Sequence, residues 1–232
     1  MWTRVVESAT LLEADRWTVS YFAEMKVSGR SAHRKRPLRD LAVERRSTID
    51  PQQHGDEPIV YLGLENVRPT TGELVDFALR PASSIKSRSK TFQAGDVLYG
   101  RLRPELNKVY LAQSPAAEGM CSCEFIVLAP RQEVVLPRYL RHILASSFVT
   151  QFAGKLTVGA SLPRMSPSDL LGIEVPVPPL AVQARLVEQL ARIDQEIVAL
   201  RARLAALPAQ QAEGLLVALS TGRTEIEVAM AA

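Results

Sequence analysis

One stretch near the C-terminal end restricts the fold of this chain more than any other. From Leu180 there is neither proline nor glycine until Pro208. Within that stretch Leu186, Leu190, Ile193, Ile197, Leu200, Leu204 and Leu207 recur at alternating steps of four and three residues. The mean step of 3.5 is the period of a left-handed coiled coil, not the 3.6 of an ordinary amphipathic helix. The flanks are Arg, Glu, Gln and Asp, as suits a solvated back. Leu186–Leu207 therefore predicts a rod of about 33 Å, paired with another helix of this chain or of a second copy. Pro208 is expected to break the helix. A shorter helix over Gln210–Leu219 then follows, ended by Thr221-Gly222, and Thr224–Val228 has the pattern of a terminal strand.

The residues before this helix read differently. The chain has 232 residues, 47% of them hydrophobic and 12 of them glycine, which excludes a disordered or collagen-like chain and leaves room for a real core. Short β-prone runs dominate the middle: Ile59–Leu64, a strand after Gly72-Glu73-Leu74, Val97–Leu102 after the Gly95-Asp96 turn, Asn107–Ala112, and Cys123–Leu128 ended by Ala129-Pro130. Weaker helical patterns cover residues 4–25 and Pro37–Arg46, and Leu136–Phe152 reads as one helix with Pro137 in its first turn. Leu170–Val177 is the last predicted strand, stopped by Pro176, Pro178 and Pro179. The expected class is α+β: a mixed, β-rich domain followed by a long C-terminal coiled-coil helix. The expected divisions are an N-terminal segment (1–57), a domain core (58–178), a pairing helix (179–207) and a C-terminal tail (208–232).

Charge is distributed unevenly along the chain. Up to Arg164 there are 23 basic and 17 acidic residues, and beyond it 5 basic and 8 acidic. No acid occurs between Val134 and Ser168, where Arg138, Arg141, Lys155 and Arg164 stand. Other basic clusters are Arg34-Lys35-Arg36, with Arg30, Arg39, Arg45 and Arg46 nearby, and the set Arg80, Lys86, Arg88, Lys90, Arg101, Arg103 and Lys108. Cations gathered in one part of a chain suit a polyanionic partner. No apolar run approaches the length of a membrane span, and the N-terminus lacks the long apolar stretch of a signal peptide. A cytoplasmic protein without membrane contact is expected. The two cysteines, Cys121 and Cys123, read as thiols in a reducing compartment.

Signs of catalysis are few. There is no glycine-rich phosphate loop and no Gly-x-Ser-x-Gly elbow. The histidines His33, His54 and His142 lack metal-ligand spacing. Asp96, Glu105 and Lys108 form the one set that a Mg²⁺-dependent nuclease could use, but Glu105 to Lys108 is the wrong spacing for an acid-x-Lys pair.

Several segments carry a resemblance instead. Tyr61-Leu62-Gly63-Leu64-Glu65-Asn66-Val67, the run Phe92–Pro104 containing Gly95-Asp96-Val97-Leu98-Tyr99-Gly100-Arg101-Leu102-Arg103, and Leu106-Asn107-Lys108-Val109 are three of them. Gly119–Phe125, Gly159-Ala160-Ser161-Leu162-Pro163-Arg164, Pro176–Gln183 and Leu215–Gly222 follow in order. In sequence and spacing these resemble the specificity subunits of type I restriction–modification systems. Val158 stands where the family usually has Thr, and residues 1–57 match poorly, although Arg16–Phe22 loosely resembles the opening motif of such subunits. Family members typically carry two target-recognition domains and two conserved helices. This chain has one of each and so resembles a half-length form, with its target-recognition domain before the coiled-coil helix.

The resemblance implies a subunit that cleaves and methylates nothing itself. It would bind double-stranded DNA and dock methyltransferase (modification) subunits and a restriction/translocase subunit. Any S-adenosylmethionine, ATP and Mg²⁺ would be used by those partners, with no cofactor on this chain. Two copies joined through the heptad residues would form a homodimer that reads a bipartite, palindromic site. Their separation of about one DNA turn would match the ~33 Å rod. The candidate DNA contacts are Lys86, Arg88, Lys90, Arg101, Arg103, Asn107, Lys108, Lys155, Ser161 and Arg164. Those within the recurring motifs fit fold or phosphate roles better than base reading, which the less patterned loops Arg80–Lys90 and Lys155–Ser161 suit better. The competing expectation is a coiled-coil adaptor or regulator whose basic domain binds protein or RNA.

Overall fold

A computed structural model of the chain describes residues 32–156 and 162–221. The predicted helix over residues 4–25, Arg30, Ser161 and the strand Thr224–Val228 lie outside the described residues, as does the side chain of Lys155. The chain divides into two units, Met1–Ala184 and Arg185–Ala232.

The first unit is built from short strands. In chain order they are β1 (Lys35–Pro37), β2 (Ala42–Glu44), β3 (Thr48–Ile49), β4 (Pro58–Ile59), β5 (Tyr61–Leu62), β6 (Arg80–Pro81), β7 (Ser89–Phe92), β8 (Val97–Gly100), β9 (Val109–Leu111), β10 (Gly119–Ser122), β11 (Phe125–Pro130) and β12 (Glu174–Pro176). Helices α1 (Pro137–Leu144), α2 (Ser147–Lys155) and α3 (Pro167–Gly172) come between β11 and β12. The strands form two four-stranded sheets, β3-β7-β10-β5 and β2-β11-β8-β9, and two small ones, β1-β12 and β4-β6. The β10–β5 pairing is parallel and the other ladders are antiparallel.

Register explains how the sequence fills the interior. Val127, Leu98 and Tyr110 stand opposite one another across β11, β8 and β9, and so do Ile126, Tyr99 and Val109. Side chains alternate along a strand, so the two rows face opposite ways. The first row packs with Leu62, Phe92 and Cys121 from the other large sheet, which places the main core between the two sheets. Helix α1, with Tyr139, Leu140 and Leu144 buried, packs on β8 and β9. Burial on both faces is why Phe125–Leu128 is apolar at every position rather than at every second one. Each such side chain contributes about 1.5–3 kcal/mol on leaving water. A smaller cluster of Tyr61, Ile85 and Met120, with Ile49 and Ile59 against it, forms separately.

Asp96 opens β8 by holding the turn before it. Gly95 takes φ 86°, which a side chain would oppose, and the Asp96 carboxylate accepts from the Gln93 N–H at 2.9 Å. The same carboxylate takes Arg45 Nε at 2.7 Å and Nη2 at 3.2 Å, tying the end of β2 to this turn.

Six expectations are corrected. No strand follows Gly72-Glu73-Leu74: Leu74 makes an isolated bridge with Val67, and the chain is held to Asn66 by Val75 N–H instead of joining a sheet. Pro37–Arg46 is not helical: Pro37 ends β1 and a three-residue 3₁₀ turn, Leu38–Asp40, leads to β2, because both strands find partners far along the chain. Ile59–Leu64 is not one strand; the chain changes sheets at Val60, whose carbonyl accepts from Met120 N–H at 2.9 Å. Leu136–Phe152 divides into α1 and α2, because the Ser146 hydroxyl accepts from Val149 N–H and starts a new helix. Leu170–Gly172 ends α3 instead of opening a strand. Ser166 is the N-cap of that helix and Pro167 its first residue, so the strand is confined to Glu174–Pro176. Finally, Pro208 lies inside a continuous helix, α4, running Leu180–Thr221 over 42 residues. At 1.5 Å per residue that is about 63 Å, nearly twice the predicted rod. Pro208 leaves the Leu204 carbonyl without its helical N–H donor, yet the residues beyond it keep helical geometry.

The first turn of α4 is secured within the first unit. Gln183 is fully buried; its Oε1 accepts from Leu136 N–H at 2.9 Å, and its Nε2 donates to the Val134 and Pro178 carbonyls, each at 2.9 Å. Among the described residues, no helix is long and apolar enough to cross a membrane.

Candidate nucleic-acid interface

Strand β8 continues past Gly100 into a short two-stranded ribbon. Arg103 N–H donates to the Pro163 carbonyl at 2.8 Å and Met165 N–H to the Arg101 carbonyl at 3.0 Å, with Leu102 opposite Arg164. On the other side Arg101 N–H donates to the Glu124 carbonyl at 2.8 Å. The Glu124 carboxylate takes Arg164 in a fork, Nη2 at 2.7 Å and Nε at 3.0 Å to Oε1. That hydrogen bonding raises the Arg164 pKa, so this guanidinium is a fixed cation. Three motifs that lie far apart in sequence, around Arg101, Glu124 and Arg164, thus form one piece of surface.

The backbone beside the ribbon is strained. Arg103 (φ 49°) and Asn107 (φ 51°) take the left-handed conformation on either side of the 3₁₀ turn Pro104–Leu106. Each such non-glycine residue costs on the order of 1–2 kcal/mol, and strain of this kind gathers at functional sites. Asn107 Nδ2 donates to the Ala145 carbonyl at 2.6 Å, and Lys108 Nζ to the Leu64 carbonyl at 2.6 Å. The Tyr99 hydroxyl, Arg101 Nε and Asn107 Oδ1 are buried and have no hydrogen-bond partner among the described residues. Burial and the nearby Glu105 charge push the Tyr99 pKa well up, so the phenol stays protonated.

The candidate residues therefore separate into two kinds. Lys90 donates to the Phe125 carbonyl at 2.7 Å, and Lys90, Lys108, Arg164 and the Asn107 Nδ2 are all bonded to neighbouring segments. Lys86, Arg88 and Arg103 are exposed: Arg88 reaches Thr48 Oγ1 at 3.1 Å, and Arg103 lies 3.8 Å from Glu105. Arg101 is half-buried. Arg80 sits 5.6 Å from the centre of the Tyr61 ring, a cation–π contact. The possible nuclease set is dispersed: Asp96 lies before β8 and is bound to Arg45, whereas Glu105 and Lys108 follow β8 and Lys108 holds Leu64.

Arg45 stands in a basic cluster of the sequence, but its partner Asp96 is not legible there, although the Gly95-Asp96 turn it serves is. Gln52 and Gln53 stand on a 3₁₀ turn (Pro51–His54) that the Asp50-Pro51 pair opens, with Asp50 as its cap.

In the second unit, α4 leaves its apolar stripe largely uncovered: Ile193 is 52% and Leu204 68% exposed, and Leu186, Leu200 and Leu207 are exposed as well. Beside the stripe, Asp194 and Glu196 fall in one half and Arg201 and Arg203 in the other.

No protein-family model matches the chain. Among curated proteins it is 24% identical over 154 residues to the type I restriction enzyme EcoDI specificity subunit of Escherichia coli, a match covering 66% of this chain and 32% of that protein. It is 22% identical over 110 residues to the type I restriction enzyme HindI specificity subunit of Haemophilus influenzae, covering 47% and 24%. Among solved structures, the HsdS subunit from Thermoanaerobacter tengcongensis matches with TM-score 0.63 and 24% identity over 77% of this chain and 46% of that one. A chain from a structure of complex assembly and conformational transition in the type I R-M system matches with TM-score 0.64 and 26% identity, over 86% and 50%. The type I S subunit from M. genitalium matches with TM-score 0.53 at 14% identity, over 82% and 46%. The chain thus spans at most a third of the curated relatives it matches and about half of each solved chain. By sequence and by fold, this chain is similar to the specificity subunits of type I restriction enzymes, and its described residues form one β-rich domain and one long helix.

Proposed function

We propose that this chain is a DNA-recognition subunit of a type I restriction–modification system, working as a pair of identical copies. The observation that carries the reading is the meeting of the Arg101, Glu124 and Arg164 motifs on one strained, basic surface, in a fold shared with specificity subunits. Phosphate contacts by Lys86, Arg88, Arg101, Arg103 and Lys155 would fix position, and base-edge contacts would supply sequence. Lys90, Asn107, Lys108 and Arg164 would act by holding the loops. The chain itself is non-catalytic. In a cytoplasmic complex, methyltransferase subunits and a restriction/translocase subunit would bring S-adenosylmethionine, ATP and Mg²⁺.

The exposed stripe of α4 supports pairing with a second copy. In heptad terms Leu190, Ile197 and Leu204 fall at a, and Leu186, Ile193, Leu200 and Leu207 at d. Two antiparallel copies would bring Asp194 beside Arg201 and Glu196 beside Arg203, each pair twice by symmetry. Parallel copies would join only Glu196 to Arg201. The charges favour the antiparallel arrangement. A dimer carries two recognition domains and reads a two-part site.

Selection from a random-sequence duplex library with the purified full chain tests this reading. Enrichment of a motif in two inverted halves, separated by an unspecified spacer, is expected. Binding without enrichment of any sequence would contradict it and would favour a basic adaptor.

A further inference from the structure

We propose that Gln52 and Gln53 read base edges, while Lys86 and Arg88 grip the flanking phosphates; this rests on the DNA-recognition reading above. A side chain that reads adenine must be long, exposed, able to donate and accept together, and free of internal bonds, and it must stand on a rigid support. Lys90, Lys108 and Arg164 are spent within the fold, and the half-buried Asn107 gives its amide N–H to Ala145. Gln52 and Gln53 meet it. Both are exposed, and neither side-chain amide makes a hydrogen bond among the described residues.

Their support is firm. Asp50 Oδ1 accepts from Gln52 N–H at 3.1 Å, and Pro51 is buried beneath. A second 3₁₀ turn, Ala82–Ser84, packs against this one. Ala82 N–H donates to the Glu57 carbonyl at 2.9 Å, Ser83 N–H to the Gly55 carbonyl at 2.7 Å, and the Ser83 hydroxyl to Asp56. The Ile49, Ile59 and Ile85 side chains seat the pair of turns on Tyr61 and Met120.

Two cations lie alongside. Strand β3 runs antiparallel to the start of β7, with Ile49 opposite Ser89, and Arg88 donates to Thr48. Lys86 falls between that contact and the Ala82–Ser84 turn. The acids of the segment are engaged within it: Asp50 caps, Asp56 binds Ser83, and Glu57 lies 3.5 Å from His54. Glutamine pairs in bidentate fashion with adenine, donating to N7 and accepting from the N6 amino group, so adenine is the base class expected at these positions.

The test repeats the random-duplex selection with the full chain carrying Gln52→Ala and Gln53→Ala, and separately Lys86→Ala and Arg88→Ala. All four side chains are exposed, and circular dichroism melts matching the parent would establish that the fold is intact. The glutamine variant should lose base preference at one or two positions of each half-site. Its affinity for the parent's preferred duplex should fall about 10- to 100-fold, with affinity for unrelated duplex changed less than about two-fold. The lysine–arginine variant should weaken on all sequences alike, with a salt slope lower by about two. A glutamine variant that enriches the parent's motif unchanged would overturn this inference and leave the functional reading standing. A parent that enriches no motif would overturn both.

Discussion

The cysteines show what single residues contribute. Cys121 sits in β10 within the main core, and burial pushes its thiol up to about 12. Cys123 lies in the turn before β11 and is exposed, its Sγ 3.2 Å from the Arg88 carbonyl. The thiolate is the reacting species, and at pH 8 the buried Cys121 thiol stays protonated. A maleimide or iodoacetamide at pH 8 should therefore modify one cysteine per native chain, at Cys123, and both after denaturation; peptide mass spectrometry reads the outcome. Rapid native labelling of Cys121 would mean that the two-sheet core opens. Both stand as free thiols, as expected, but residues two apart along a strand share a face, so it is the turn after β10, not the strand period, that exposes Cys123. By contrast, the partners of Arg45 and Arg164 could not be read from sequence. Asp96 is 51 positions from the first and Glu124 is 40 from the second, and only the sheet pairing brings them together.

At the scale of elements, the strongest periodic signal was read correctly in kind and too short in extent. Proline is a reliable stop only where nothing continues the helix, and the residues beyond Pro208 are good helix formers: Ala209, Gln210, Gln211, Ala212 and Glu213. The shorter failures share a cause. Pro37–Arg46 and Ile59–Leu64 take their conformation from partners in β12, β11 and β10, which no local pattern encodes. The division of α1 from α2 and the start of α3 were legible, because Ser146 and Ser166 are caps and Pro167 stands at a first helical position. If α4 pairs two copies, charge in the stripe should separate them. The double variant Ile193→Glu, Ile197→Glu should elute at half the parent's mass on gel filtration at micromolar concentration, with its β-rich unit still folded by near-ultraviolet circular dichroism. A variant eluting with the parent would place the pairing surface elsewhere.

For the whole molecule, the basic bias of the residues up to Arg164 and the apolar stripe beyond suit the two proposed tasks, binding a polyanion and joining copies. Motif order and spacing made the likeness to specificity subunits legible. The surface became legible only in three dimensions, since it required knowing which basic side chains the fold consumes. On the reading proposed above, two copies together read one two-part site. Sedimentation equilibrium of the full chain on the duplex recovered by selection checks this. Two chains per duplex carrying both half-sites are expected, with a loss of affinity of at least about 100-fold when one half is scrambled. A single chain bound with undiminished affinity to a lone half-site would contradict it.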